Sequence, residues 1–367
     1  ALQLKDMSIT ERDNVTNIVE LDLRDFTLGK PASLRVDGNY LGAGETLPIA
    51  GTLLGTITYQ PNTETTTRAV KLTNTTVSTP NLSAICDIDA ADNGGYPPEP
   101  ISSDADLLPV TTLRGLDITA NCVLNDLKIG TETFTLGDVR LTNVTDNLYL
   151  FVDIKDFLSG SLVTEIDVDL AANPIRWKIR TKVDGVDSKR LIDWTNHSIA
   201  WVAPLGLTGE ITMQGNTEAE LLSSLSSDQV FDGGQGRLDI SALKRQMAQL
   251  AAITRSSDSF VQWPDTWGYE TFVGKLETRG QDQVLSIQLD NLFIDGKGMY
   301  DYTTNEINML ANVTFREAAE GSPYVVNALV QDTPLPMRCS GAAQDIKCEL
   351  DNDATKKLIA STLKRGS

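Results

Sequence analysis

Val284-Leu285-Ser286-Ile287-Gln288-Leu289-Asp290-Asn291 and Glu306-Ile307-Asn308-Met309-Leu310-Ala311-Asn312-Val313-Thr314-Phe315 decide the fold of this chain. Leu285, Ile287 and Leu289 recur at every second position, as do Ile307, Met309, Ala311, Val313 and Phe315. Side chains alternate between the two faces of an extended strand, so each set lies on one face. Between them Gly296-Lys297-Gly298-Met299-Tyr300-Asp301 reads as another strand, and Leu335-Pro336-Met337-Arg338-Cys339-Ser340-Gly341 closes the block. Gly296 and Gly298 are expected where a curling sheet uses a flexible backbone. No nucleophile–base pair and no ligand cluster occurs from Gly280 to Gly341. The block makes a surface.

The same alternation runs back to the N-terminus. Val19, Leu21 and Leu23 share a face, and strands continue through Ser33–Gly38 and Leu54–Tyr59, with Asp37-Gly38-Asn39 and Gln60-Pro61-Asn62 expected as turns. Further faces carry Leu116, Ile118, Ala120 and Cys122, then Leu148, Leu150, Val152 and Ile154, then Ile166, Val168 and Leu170. In Ile175–Val183, the apolar Ile175, Trp177 and Ile179 alternate with basic residues, so one face is wet and the other buried or in contact with lipid. Helices are expected at 216–225, at 241–250, where Leu243, Met247 and Leu250 form a stripe, and at 354–364 behind Asp353. They would cover or plug sheet ends. Trp263-Pro264-Asp265-Thr266-Trp267-Gly268-Tyr269 reads as a plug over a core end, or else as an exposed tip.

Residues 87–110 are acidic and rich in Pro and Gly, and are expected to form a solvated loop. Asp87, Asp89 and Asp92 could offer oxygen ligands to Ca²⁺, but the EF-hand spacing and its terminal Glu are absent, so no metal site is assigned. The four cysteines fall in two local pairs, Cys86 with Cys122 and Cys339 with Cys348. Neither is CxxC, and His197 is the only histidine, so disulfides are preferred to zinc. Two disulfides imply an oxidising compartment; four buried free thiols are the alternative.

The chain has 367 residues, 41% hydrophobic and 22% charged, enough for a sizeable core and too patterned for disorder. A formal net charge of −19 excludes nucleic acid as a natural partner and disfavours adhesion to anionic headgroups, but it does not bear on contact with acyl chains. No run approaches the ~18 apolar residues of a membrane-spanning helix, and no signal peptide is visible. The start at Ala1-Leu2-Gln3-Leu4, already alternating, is expected of a piece cut from a longer protein. His197 stands in an expected turn with no GxSxG nucleophile, no carboxylate pair stands out among 50 acidic residues, and Gly233-Gly234-Gln235-Gly236 lacks the Lys-Ser/Thr of a P-loop. The sequons at Asn14, Asn74, Asn143 and Asn312 read more simply as Thr-rich strand sequence. No catalytic residue and no cofactor is assigned.

Four segments in the C-terminal third occur together in order. They are Phe231–Ile240 before a helix, Glu270-Thr271-Phe272 with Gly274 and Leu276, Leu289-Asp290-Asn291-Leu292 followed by Gly296–Asp301, and Pro334–Gly341. In this respect residues 231–353 resemble the C-terminal domain of the AsmA family of Gram-negative envelope proteins. Residues 1–230 fit that family only as a succession of amphipathic strands, and neither the acidic loop nor the cysteines map onto it.

The resemblance implies an all-β fold: a long curled antiparallel sheet forming a hydrophobic groove, with a few short helices over its end. It divides the chain into a β-groove segment, 1–230, and an AsmA-like domain, 231–367. It further implies a non-enzymatic periplasmic protein that conducts phospholipid acyl chains between inner and outer membranes and supports outer-membrane assembly. Such a protein would be held to the inner membrane by an N-terminal anchor outside this sequence and would meet outer-membrane components. The expected lining comprises Val19, Leu21, Leu23, Leu150, Val152, Ile166, Val168, Ile175, Trp177, Ile179, Leu285, Ile287, Leu289, Ile307, Met309, Val313 and Phe315. Residue pattern alone builds a β-sandwich whose apolar faces meet each other equally well, and without the resemblance the sandwich is the preferred expectation. Two other functions are carried beside the conduit: an envelope interaction protein binding partners through strand edges, and a hydrolase on a β-sandwich.

Overall fold

The structure, a computed structural model, describes residues 2–11, 14–25, 27, 30, 32–41, 49–60, 69–93, 106–195, 201–254, 263–320, 322, 324–326, 330–343, 346–351, 353, 354 and 357. The fold is all-β: a large antiparallel sheet, not closed into a barrel, with four short helices among the described residues. Two compact units partition the chain. The first is Ala1–Phe157, Ser161–Ile179 and Gln214–Glu218; the second is Leu158–Gly160, Arg180–Met213 and Ala219–Ser367. The boundary expected after residue 230 falls inside a strand of the second unit.

The first unit is a meander. Strands β1 (Leu2–Glu11), β2 (Asn14–Arg24), β3 (Ala32–Leu41), β4 (Ile49–Gln60), β5 (Ala69–Ser78) and β6 (Leu82–Asp92) pair in sequence order, each antiparallel to the last. After α1 (Val110–Arg114), β7 (Leu116–Ile129) joins β6, the short β8 (Glu132–Phe134) joins the end of β7, and β9 (Gly137–Val144) and β10 (Asn147–Phe157) extend the ladder. β11 (Gly160–Asp169) and β12 (Arg176–Asp187) follow.

Two sequence expectations are corrected here. Asp37-Gly38-Asn39 is not a turn but runs through β3, where Gly38 and Asp37 face Ile18 and Glu20 across a bulge that skips Val19. Gly38 reads as a turn-former from composition, yet glycine also marks bulges. Similarly, residues 87–92 belong to β6 rather than to a loop. Asp87 accepts the Asn74 N–H at 2.7 Å and Asp89 pairs with Lys71 at 3.0 Å, while Asp92 has the opposite strand parity, so the three carboxylates do not converge on a cation. Gln60 ends β4, and Pro61, Asn62 and most of 93–105 lie outside the described residues.

One face of the first unit is apolar. Val77, Ala84, Leu124, Gly137 and Ile154 occupy consecutive register positions across β5, β6, β7, β9 and β10, and Cys86, Cys122, Val139 and Val152 form the next row. Cys86 and Cys122 are directly opposed, with Cα atoms 4.1 Å apart, and are joined as the expected disulfide. Leu108, Val110 and Leu113, in and before α1, cover one region of the apolar face by packing on Leu148, Ile166, Val168, Leu170, Ile175 and Trp177. Hydrogen bonds fix this cover. Asn143 donates to the carbonyls of Leu113 and Leu116, each at 2.6 Å, Arg114 Nε donates to Leu170 O at 2.8 Å, and Trp177 Nε1 donates to Gly215 O at 2.9 Å. Asn143 is therefore a structural amide, buried and unavailable as a glycan acceptor.

In the second unit, α2 (Ser188–Trp194) starts at an Asp187 cap whose carboxylate accepts from Lys189 N and Arg190 N. β13 (Trp201–Val202), β14 (Pro204–Gln214), α3 (Glu218–Ser224), β15 (Ser226–Asp232), β16 (Gly236–Asp239), α4 (Ser241–Thr254) and β17 (Thr266–Tyr269) follow. The unit's main ladder runs β14–β15 and then β18 (Phe272–Arg279), β19 (Asp282–Leu289), β20 (Leu292–Asp301), β21 (Glu306–Phe315), β22 (Leu335–Ala342) and β23 (Lys347–Leu350), all antiparallel. The period-two reading of the opening block thus places its strands correctly. β13, β16 and β17 form a separate three-stranded sheet. The helices expected at 216–225 and 241–250 are present as α3 and α4; the one expected at 354–364 and His197 lie largely or wholly outside the described residues.

Candidate functional site

The parity of β18 to β23 produces a grid with one apolar face. Its rows, read from the register, are Phe272–Leu289–Leu292–Phe315; Gly274–Ile287–Ile294–Val313–Leu335; Leu276–Leu285–Gly296–Ala311–Met337–Leu350; and Thr278–Gln283–Gly298–Met309–Cys339–Cys348. A final shorter row is Tyr300–Ile307–Gly341. The opposite face carries groups such as the Lys275–Glu277 ion pair, the Ser286–Asp295 hydrogen bond and Arg316 stacked 4.0 Å over the Phe293 ring.

An aromatic plug closes the first two rows. Trp263 and Trp267 are buried against Phe315, and Trp267 stacks on Tyr324 with ring centroids 3.9 Å apart. Met247 of α4, Tyr269 of β17 and Val326 and Val330 complete this core with Leu289, Leu292, Val313 and Leu335. The Trp-Pro-Asp-Thr-Trp-Gly-Tyr segment is therefore the plug that its sequence suggested, not an exposed tip. Asp290 locks it in place. Held at φ +47° in the β19–β20 turn, its carboxylate accepts from Trp267 Nε1 at 3.1 Å, Glu270 N at 3.0 Å and Thr271 N at 2.9 Å. Asn291 donates to Arg316 O at 3.0 Å. The Leu289-Asp290-Asn291-Leu292 segment thus ties three strand ends together.

Beyond the plug the face is open. Leu276, Leu285, Tyr300, Ile307, Met309, Cys339, Ala343, Ile346, Cys348 and the aliphatic part of Gln283 line a trough of about 370 Å³. It crosses from β18 to β23, roughly 24 Å at about 4.8 Å per strand step. Its floor is shaped by glycine. A Cβ on Gly296 would sit 2.8 Å from Met309 Sδ, and one on Gly298 would overlap the Asn308 carbonyl oxygen. Neither glycine has a positive φ. They are required by close approach across the ladder, which replaces the expectation of a flexible backbone.

The polar groups at the trough's edge are already engaged. Gln283 is 9% exposed and its Oε1 accepts from Thr278 Oγ1 at 2.7 Å; its amide nitrogen faces Tyr302 Oη at 3.5 Å. Burial raises the Tyr302 phenol above its ordinary pKa, partly offset by the Gln283 contact, so the group stays neutral. The Tyr300 hydroxyl bonds Asn305 Oδ1, and Tyr300 and Tyr302 meet edge to face at 4.7 Å. What remains facing the open space is hydrocarbon, sulfur and ring carbon. Two larger concavities are of mixed lining: one of about 530 Å³ sets Asn74, Asp87, Asn121 and Arg140 beside Ile85, Val123 and Val139, and one of about 590 Å³ sets Glu270, Asn291, Arg316 and Glu317 beside Phe293 and Tyr324.

Among the expected lining residues, Leu285, Ile307 and Met309 meet in this trough. Ile287 lies on the same face, half-buried one row toward the plug. Leu289, Val313 and Phe315 lie on that face too but under the plug, where they are closed core and line no open surface. In the first unit, Leu150 and Val152 are half-buried on the apolar face, Leu21 and Leu23 are half-buried in β2, and the side chain of Val19 lies outside the described residues. Ile166, Val168, Ile175 and Trp177 pack under the α1 cover, and Ile179 is half-buried further along β12. Leu276, Tyr300 and Ile346 were missed. Leu276 was legible in the Phe272-x-Gly274-x-Leu276 alternation, whereas Ile346 precedes the short β23 and had no periodic signal. Comparison of the chain with family models, with curated proteins and with solved structures finds no match.

Proposed function

We propose that this protein is a non-enzymatic binder and conductor of phospholipid acyl chains, acting between the inner and outer membranes in support of outer-membrane assembly. The observation that carries this reading is the open trough on β18–β23, which offers no free polar group to a ligand. Each methylene transferred from water to such a surface gains ~0.8 kcal/mol, so an alkyl chain needs no polar anchor to bind. The headgroup stays in water, where the chain's negative charge is no obstacle. The AsmA-like order of segments over 231–353 supports a periplasmic setting, as do the two disulfides, which persist in oxidising compartments.

Native mass spectrometry of the purified protein with organic extraction tests the reading, together with a photo-crosslinking residue at Ile307 or Met309. Phospholipid co-purifying and crosslinked at these positions is the expected result. Protein that carries none, and a crosslinker that captures none in the presence of phospholipid vesicles, would sink it. A second reading, partner binding by strand addition, is favoured by the two ladder ends: among the described residues β1 pairs only with β2 and β23 only with β22.

A further inference from the structure

We propose that the Cys339–Cys348 disulfide is a reducible latch on the end wall of the trough, so that a dithiol reductant opens the trough at the edge strand. The wall consists of Cys339, Ala343, Ile346 and Cys348, at the β22–β23 hairpin. β23 is four residues long and is held unevenly. At its far end Leu350 is buried in the plug core, and its N–H points to Gln246 Oε1 of α4 at 3.4 Å. At the trough end Lys347 and Cys348 are exposed, as is the preceding Ile346 at 43%. Only the Ser340↔Lys347 and Cys339↔Cys348 positions of the ladder reach that far. Hydrogen bonds of an exposed, short edge strand open easily, so the covalent tie is what keeps this end closed.

The two disulfides differ in access. Cys86 is 4% exposed and packs with Ala84 and Leu124, while its partner Cys122 is half-buried and the pair borders a concavity, so neither of these cysteines is fully exposed. Cys348 lies at the surface. Thiol–disulfide exchange needs a thiolate to reach a sulfur, so the hairpin disulfide is reduced first. In the reaction a dithiol thiolate attacks Cys348 Sγ, the S–S bond breaks and Cys339 leaves as a thiolate that takes a proton. The second thiol of the reductant then closes its own disulfide and releases Cys348 as a thiol. Two electrons pass from the reductant to the protein, and two protein thiols result. That reduction speeds ligand release rests on the acyl-chain reading; that it frees the wall does not.

The test treats the whole chain with limiting dithiothreitol. Alkylation and peptide mass identify which cysteines opened, amide hydrogen exchange follows residues 346–350, and a fluorescent fatty acid reports dissociation. Labelling of Cys339 and Cys348 before Cys86 and Cys122 is expected. So is exchange at 347–348 faster by about tenfold or more with β21 unchanged, and probe release faster by a similar factor. The double variant Cys339→Ser/Cys348→Ser should show both changes without reductant and no response to it. Simultaneous reduction of both pairs, unchanged exchange at 347–348, or faster exchange with unchanged release of a bound probe would each overturn the latch. If no probe binds in either state, the acyl-chain reading fails, and the exchange data still decide whether the wall is latched.

Discussion

Met309 and Leu310 are neighbours in β21 whose side chains leave opposite faces of one ladder, and the contrast between them tests the trough directly. Met309 lies half-buried in the trough, opposite Gly298 and Cys339. Leu310 is 56% exposed, opposite Lys297 and Arg338. Met309→Asp puts a carboxylate where all accessible neighbours are apolar, so a bound chain must give up its contact with that segment. If three to four methylenes are displaced, at ~0.8 kcal/mol each, the loss is about 2.5–3 kcal/mol, or roughly a hundredfold in Kd. Leu310→Asp faces two cations and water and should leave Kd within about threefold. Fluorescent fatty acid titration gives both constants, and urea midpoints show that both variants remain folded. Equal weakening by the two substitutions at equal stability would refute a one-sided apolar site. Val313 cannot serve in this test: it is buried beneath the plug, and a charge there would unfold the unit rather than report on binding.

Four further outcomes are expected. Among single-chain amphiphiles of equal length, carboxylate, maltoside and phosphocholine heads should bind within about threefold of one another, while each added methylene strengthens binding about fourfold; a tenfold preference for one head in a calorimetric series would show a polar contact that the lining lacks. Gly298→Ala should cost about 1–3 kcal/mol in urea unfolding, since the new methyl meets the Asn308 backbone oxygen, whereas Gly296→Ala meets the movable end of Met309 and should cost less while weakening chain binding; the reverse order would contradict the register. Trp267→Ala removes a fully buried ring stacked on Tyr324 and should destabilise the unit by about 3–5 kcal/mol; a loss under about 1 kcal/mol would mean the plug is not core. Partial burial pushes the Asp156 carboxyl up, but bonds from Thr135 Oγ1, Thr135 N and Leu136 N outweigh it and hold its pKa below the ordinary value. Its stabilising contribution is thus complete above about pH 4, the unfolded value, and is lost as pH falls through the lower folded value. The deficit of Asp156→Asn in thermal midpoint should shrink in acid, and a deficit independent of pH would speak against that origin.

Alternation made the strands legible because it reports one thing well, the direction in which a side chain leaves the backbone. It cannot report what that side chain meets. Ile307 and Phe315 belong to the same periodic set, yet one faces an open trough and the other is buried under Trp263. The difference comes from residues 263–269 and from Tyr324, Val326 and Val330, which do not share the period-two pattern of β21. Glycine carried a similar ambiguity. Gly38 looks like a turn and sits beside a bulge, and Gly298 looks like a flexible joint and is a point of close backbone approach. The acidic run at 87–92 was misread because Asp is rare in strands, but here β6 turns Asp87 and Asp89 away from the Cys86 side and gives them partners on β5. Cysteine pairing, by contrast, was readable from separation alone, since both pairs span local segments that a meander brings edge to edge.

The two units solve the same problem in the same way, and this bears on what the open surface is for. In each, a segment with a short helix is laid on one region of an apolar sheet face and fastened by buried amide or indole hydrogen bonds: Asn143 and Trp177 in the first, Trp267 with Asp290 in the second. Covering material was therefore at hand, and its placement is selective. In the second unit it reaches Met337 and Leu350 at the β22–β23 side but leaves Leu285, Ile307 and Met309 half-exposed beside it. Had stability alone shaped this face, extending the cover by one more apolar loop would gain about 25 cal/mol for each Å² buried. A face left open at that cost, with Gly296 and Gly298 keeping its floor low at two close approaches, suits the proposed binding and release of an apolar guest.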